Sequence, residues 1–216
     1  MFIGHFGTGF AAKKLDKSPS LGTLFLATQF IDLLWPLFLL LGLESVKIDP
    51  GNTNFTPLDF VSYPFSHSLA GVLLWAVLFG GIYYWKKKQI KTSLILAGLV
   101  LSHWVLDLFT HRPDLLLIPG VEIKVGMGLW NSVPATLVIE SLIFIMGVYL
   151  YFKVTKAKNR TGSISLWAVV IFLAIVYVMN VFGPAPPSEG AIAWTTLSMW
   201  LLVAWGYWIE KNRTSE

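Results

Sequence analysis

Six long apolar stretches run along the chain at roughly 20–42, 68–85, 92–110, 133–152, 164–183 and 191–209, each closed by a short segment carrying Lys, Pro, Gly or Asn. The hydrocarbon core of a bilayer needs about 20 apolar residues per helix, so each stretch predicts one spanning helix. The first lies too late and is too long for the apolar core of a signal peptide, which predicts that it is retained. Ahead of it, MFIGHFGTGFAAKKL predicts a short helix that re-enters the membrane from Lys14, with Gly4, Gly7, Gly9, Ala11 and Ala12 allowing close packing. The pattern predicts an all-α polytopic membrane bundle of six transmembrane helices plus a half-membrane N-terminal helix. It forms a single domain over 1–216, with site-bearing helices in 1–152 and two packing helices in 164–209.

Composition agrees, with 55% hydrophobic and only 13% charged residues. Thirteen of the sixteen cations fall on one side of this topology, in the clusters Lys13 to Lys17, Lys86 to Lys91, Lys153 to Arg160 and Lys211 to Arg213. By the positive-inside rule both the Lys13 to Lys17 turn and the C-terminus are cytoplasmic, an N-in and C-in arrangement. The net charge of +4 therefore speaks to orientation, and no nucleic-acid partner is expected. The segments 43–67, 111–132 and 184–190 then face outward. Trp35, Trp85, Trp130, Trp194 and Trp208 sit near span ends and predict interfacial belts. Without cysteine, any metal must be held by nitrogen and oxygen.

Acidic groups in hydrocarbon cost about 2.5–3.5 kcal/mol at mid-helix and are by default candidates for function. There are three, Asp32, Asp107 and Glu140, and all four histidines, His5, His67, His103 and His111, lie in or at the ends of the same helical segments. His103, Asp107 and His111 are spaced at i, i+4 and i+8 and form one stripe. Asp32 and the re-entrant His5 reach similar depth, His67 opens the second span, and His111 is placed at the outer surface. Imidazole with carboxylate suits zinc, manganese or iron, with zinc favoured. Asp32, His67, His103 and Asp107 form a first site, Asp107 bridges to a second ion held partly by His5, and His111 and Glu140 belong to a further ion or act as acid/base groups.

A histidine near the N-terminus followed by small residues, an acid in the first long span, Ser66-His67-Ser68-Leu69 and the Ser102 to Thr110 step S-H-x-x-x-D-x-x-T resemble the YdjM-type membrane-bound metal-dependent hydrolases. That family is in turn similar to the zinc-dependent phospholipases C and single-strand nucleases. The resemblance spans about residues 1–111 and implies metal ligation by His5, Asp32, His67, His103 and Asp107, with Asp107 bridging; one to three ions, zinc by preference, are expected. Ser62 and Tyr63 stand where the family's second segment has His and Arg.

These readings converge on a metal-dependent, phospholipase C-like hydrolase of the bacterial-type inner membrane, with its site toward the extracytoplasmic side. Asp107, Glu140 and His111 are the catalytic candidates. Membrane lipids are the expected partners and a lipid or isoprenoid phosphate the expected substrate, with Arg112 and Tyr63 contacting it and Asp59, Trp130 and Asn131 nearby. The competing reading is a divalent cation or proton transporter using the same His/Asp set.

Overall fold

The computed structural model describes residues 1–215. Helix α1 (Ile3–Leu15) is followed by α2 (Leu21–Thr28) and α3 (Phe30–Leu40), which meet at a 55° bend. The predicted first span is therefore broken, at Gln29. Strands β1 (Ser45–Ile48) and β2 (Leu58–Ser62) pair antiparallel, and then α4 (Leu69–Lys87) and α5 (Ile90–Thr110) form a helical hairpin. A small ladder of β3 (Leu115–Leu116) and β4 (Lys124–Val125) and a 3-10 turn at Leu129–Asn131 lead into α6 (Val133–Val154). Strand β5 (Thr155–Ala157), α7 (Arg160–Phe182), α8 (Glu189–Leu197), α9 (Trp200–Lys211) and β6 (Arg213–Ser215) complete the chain. Four single helices and the continuous α8–α9 segment Glu189–Lys211 are long and apolar enough to cross a membrane, and the bent α2–α3 pair makes a sixth. The all-α polytopic bundle is thus as the apolar pattern predicts, and the strands are confined to connections.

The lysine-bearing connections meet at one end. Buried Lys13 pairs with Glu210 at 2.5 Å and donates to the carbonyls of Lys17 and Pro19. Tyr151 also donates to Glu210, and Thr92 to Asp16 in the α1–α2 turn. Burial raises the Asp16 carboxyl, but the Thr92 hydroxyl and the Ser18 amide outweigh it and leave the group below its usual value. Arg213 is buried against Thr155 and the Gly162 carbonyl, joining the C-terminal strand to the α6–α7 connection. The two helical segments expected to be packing helices thus also supply the acid that anchors α1.

Helix α1 enters from this end as a wedge of 13 residues, about 20 Å long at 1.5 Å per residue. It lies against α6 with backbones almost touching, since a Cβ added at Gly147 would fall 2.0 Å from the Gly7 carbonyl oxygen. Around it Phe6, Phe10, Phe25 and Tyr151 pack edge to face, all fully buried. At the opposite end β1–β2 folds over the bundle, with Phe55 N–H bonded to the Trp130 carbonyl. Of the tryptophans read as interfacial, Trp85, Trp194 and Trp208 are exposed, but Trp35 and Trp130 are 5% and 8% exposed and belong to the core. Their rings are used to wall the site rather than to meet lipid headgroups.

Candidate metal centre

Local sequence explains how each donor is aimed. In Ser66-His67-Ser68-Leu69, Ser68 caps α4 by accepting from Gly71 N–H, while Ser66 Oγ donates to Glu44 at 2.7 Å. His67 is held between these two serines. Because the Ser66 hydroxyl proton is committed to Glu44, its oxygen accepts from His67 Nδ1 at 2.7 Å, which leaves Nε2 with its lone pair facing inward. Glu44 also accepts the N–H groups of Phe65 and Ser66, so one buried carboxylate fixes the whole turn. On α5, His103 Nδ1 donates to the Thr28 carbonyl at 2.8 Å, at the end of α2 where the bend begins. Its Nε2 is likewise turned to the centre. This use of the second ring nitrogen to set tautomer and direction is characteristic of metal-ligating histidines.

Five of the residues singled out in the sequence come together. His103 Nε2 lies 3.1 Å from Asp107 Oδ2 and 3.4 Å from Asp32 Oδ1. His67 Nε2 lies 3.4 Å from Asp32 Oδ1 and 3.9 Å from Asp107 Oδ2. His5 Nε2 is 3.1 Å from Asp107 Oδ1, and its ring stacks on His103 at 3.7 Å between centroids. Two overlapping groups result, His5–His103–Asp107 and Asp32–His67–His103, each with donor atoms within 4.8 Å of one another. His103 Nε2 is buried without a hydrogen-bond partner among the described residues. A buried nitrogen aimed at two carboxylates without making a hydrogen bond matches ligands converging on a cation better than it matches a hydrogen-bonded network. The nitrogen and oxygen donors fit a divalent metal ion. Asp32, at 22% side-chain exposure, is the most open of the five and marks the accessible side.

Glu140, His111, Arg112 and Tyr63 take other places. Glu140 lies under α1 and accepts the N–H groups of Phe2 and Gly4, at 2.9 and 3.3 Å, so it caps the inserted helix. The Met1 amine is 2.5 Å from Asp107 Oδ1. His111 falls in neither donor group: it is 2% exposed rather than at the surface, lies under Trp130 with 4.3 Å between ring centroids, and turns Nδ1 toward Asp114 at 3.1 Å. Tyr63 donates to the same Asp114 oxygen at 2.5 Å. Burial and the Asp114 carboxylate push the Tyr63 phenol well up, so it remains a donor. Arg112 bonds to Asp59, Asn52 and Asp114, tying β2 to the end of α5. Glu44 and Asp114, and the orienting role of Ser66, escaped the sequence reading because polar residues in outer loops are ordinary there. Ser66 and Asp114 are marked only by standing next to His67 and near His111, and Glu44, far from both in sequence, carries no such mark.

A family model described as YdjM inner membrane protein matches residues 48–211. The match takes in His67, His103 and Asp107, reaches a hundred residues further than the resemblance read from motifs, and leaves His5 and Asp32 outside it. No curated protein and no solved structure matches the chain.

Proposed function

Because the chain belongs to the YdjM inner membrane protein family, we propose that this integral membrane protein is a metal-dependent hydrolase acting on a phosphoester of a membrane lipid. The observation that carries this reading is the convergence of His5, Asp32, His67, His103 and Asp107 from three helices, α1, α3 and α5, and the turn that opens α4, with His103 Nε2 left without a hydrogen bond. His103 and Asp107 would hold the ion from α5, Asp32 and His67 would close one side, and His5 the other. When bound, a divalent ion such as zinc acidifies water toward neutral pH and polarises a phosphoryl oxygen.

The chain's own residues supply the rest. Ser66 and Glu44 keep His67 in one tautomer, and Thr28 does the same for His103. His111, backed by Asp114, stands one ring from His67, with 6.5 Å between centroids, and would move a proton at the leaving oxygen. Asp114 there orients the imidazole as carboxylates do in acid/base dyads. Glu140 holds the end of α1 and with it His5. With two nitrogens tied to Asn52 and Asp59 of the hairpin and the third to Asp114, Arg112 is read as a strut for the outer cover rather than as a headgroup clamp.

Catalysis is favoured over conduction because the path from the centre toward the lysine-rich end is filled by Phe6, Phe10, Leu21 and Phe25, all at 0% exposure. The orientation we adopt is the one set by the lysine clusters, with the centre opening toward the extracytoplasmic side. To test the function, protein reconstituted with zinc is offered phospholipids and isoprenoid phosphates. Release of the phosphorylated head or of phosphate, lost at least 100-fold in Asp107→Asn, is expected; no turnover, or turnover unchanged in that variant, overturns the reading.

A further inference from the structure

A cavity of about 370 Å³ forms a seam between α3 and α4, bounded by Phe38, Leu43, Phe65, Leu74, Trp75 and Pro119. Its volume lies in the range of small-molecule sites, about 300–1,000 Å³, but its walls carry almost no polar surface. It is built rather than incidental. The Trp75 indole donates to the Phe65 carbonyl at 2.9 Å, Phe38 packs against both Phe65 and Trp75, and the Leu117 carbonyl accepts from Ala70 N–H to hold the Pro119 loop over α4. Gly71 lets the Phe65 backbone approach, since a Cβ there would meet that carbonyl oxygen at 2.7 Å.

Both walls of the seam lead to ligands of the centre. Phe65 is two residues from His67, so their Cα atoms lie within about 7.6 Å, and the Glu44 carboxylate that grips Phe65 N–H also orients His67 through Ser66. On the other wall, Phe38 follows Asp32 along α3 by about 9 Å of helical rise. Outward, the seam runs into the lipid-facing side of α4, where Leu74 and Val77 are 56% and 69% exposed. An apolar seam on the exposed side of α4, whose walls adjoin two residues of a hydrophilic centre, is complementary to a molecule with one polar and one apolar end.

We propose that the seam between α3 and α4 seats the hydrocarbon tail of a membrane lipid whose polar head reaches the centre at Asp32 and His67. The assignment rests on the hydrolase reading for the role of the head, while the tail site itself is defined by the seam. Selectivity then falls on the tail, and headgroup analogues lacking one are poor ligands.

The test uses the full chain in nanodiscs with dodecyl phosphate bearing a terminal diazirine. Photolabelling is expected to concentrate within 65–75, to be competed by dodecyl phosphate and not by ethyl phosphate, and to fall at least fivefold in Leu74→Trp with zinc content unchanged. Leu43→Trp, on the opposite wall, is the second variant should the first misfold. Labels spread evenly along the lipid faces of α6 and α7, or labelling indifferent to both variants, overturn the proposal. Phosphate release followed on the same samples separates the two claims: labelling as expected with no release removes the hydrolase and keeps the tail site, whereas release with indiscriminate labelling does the reverse.

Discussion

Two imidazoles at the centre have their tautomer chosen by backbone and loop partners, and this gives the residue scale its sharpest expectations. His103 belongs to both donor groups, so His103→Ala should empty the purified protein of metal, whereas His5→Ala should leave the Asp32–His67–His103 group intact; elemental analysis of the two variants reads this directly. Glu44 touches no proposed ion, yet it holds His67 through Ser66. Loss of such an orienting partner typically costs 10–100-fold in metal affinity, so Glu44→Gln should bind zinc that much more weakly in a competition titration while remaining folded. Asp16 offers a pH test. Its carboxyl is held below the usual value, so its contribution is present above about pH 4, the ordinary carboxylate range, and is lost as pH falls through the lowered folded-state value. Thr92→Val should lower the melting temperature at pH 7, with the gap to wild type narrowing on acidification.

At the scale of elements, α1 completes the centre, because it carries His5 and is clamped between α6 and the Lys13–Glu210 pair. Gly147→Ala would drive a methyl group into the Gly7 carbonyl, and overpacking of this kind costs about 1–3 kcal/mol. The expected outcome is a lower melting temperature together with reduced metal content. Gly98→Ala, also in a span but with nothing within 4 Å of the added carbon, should match or slightly exceed wild type on both measurements. The wedge, the six apolar segments and the five donors were legible in the sequence, since hydrocarbon makes every acid and imidazole conspicuous and the i, i+4 step on α5 sets His103 above Asp107. The bend at Gln29 was not: neither Gln nor Phe breaks a helix, and the Thr28 carbonyl that holds His103 is a backbone atom with no side-chain signature. Lys13 was equally opaque, because one buried lysine within a topogenic cluster reads like its exposed neighbours until Glu210 arrives beside it.

At the scale of the whole molecule, the two ends differ in kind. One is tied by buried charge, with Lys13 on Glu210 and Arg213 on Thr155, and the other by small antiparallel ladders and the Arg112 contacts to Asp59 and Asn52. Removing one partner of a buried pair costs about 3–5 kcal/mol, because the other charge is left stranded. Glu210→Gln should therefore be destabilised far more than Glu122→Gln, whose acid is 86% exposed, in thermal unfolding in detergent. Absence of cysteine makes orientation directly measurable. Single replacements Lys88→Cys and Asn54→Cys should be modified from opposite sides of the membrane, Lys88→Cys by reagent reaching the cytoplasmic face only.

The insertion of α1 between parts of the chain made much later has a consequence for biosynthesis. All five donors have been synthesised by residue 107, whereas the glycine surface and the carboxylate that lodge the first helix, Gly147 and Glu140, have not. The nascent protein therefore passes through a stage in which its ligands are present and its cavity is unassembled. The His5–His103–Asp107 group is expected to be complete only once α6 is in place, so a purified fragment ending before α6, at residue 132, should show no ion held through His5.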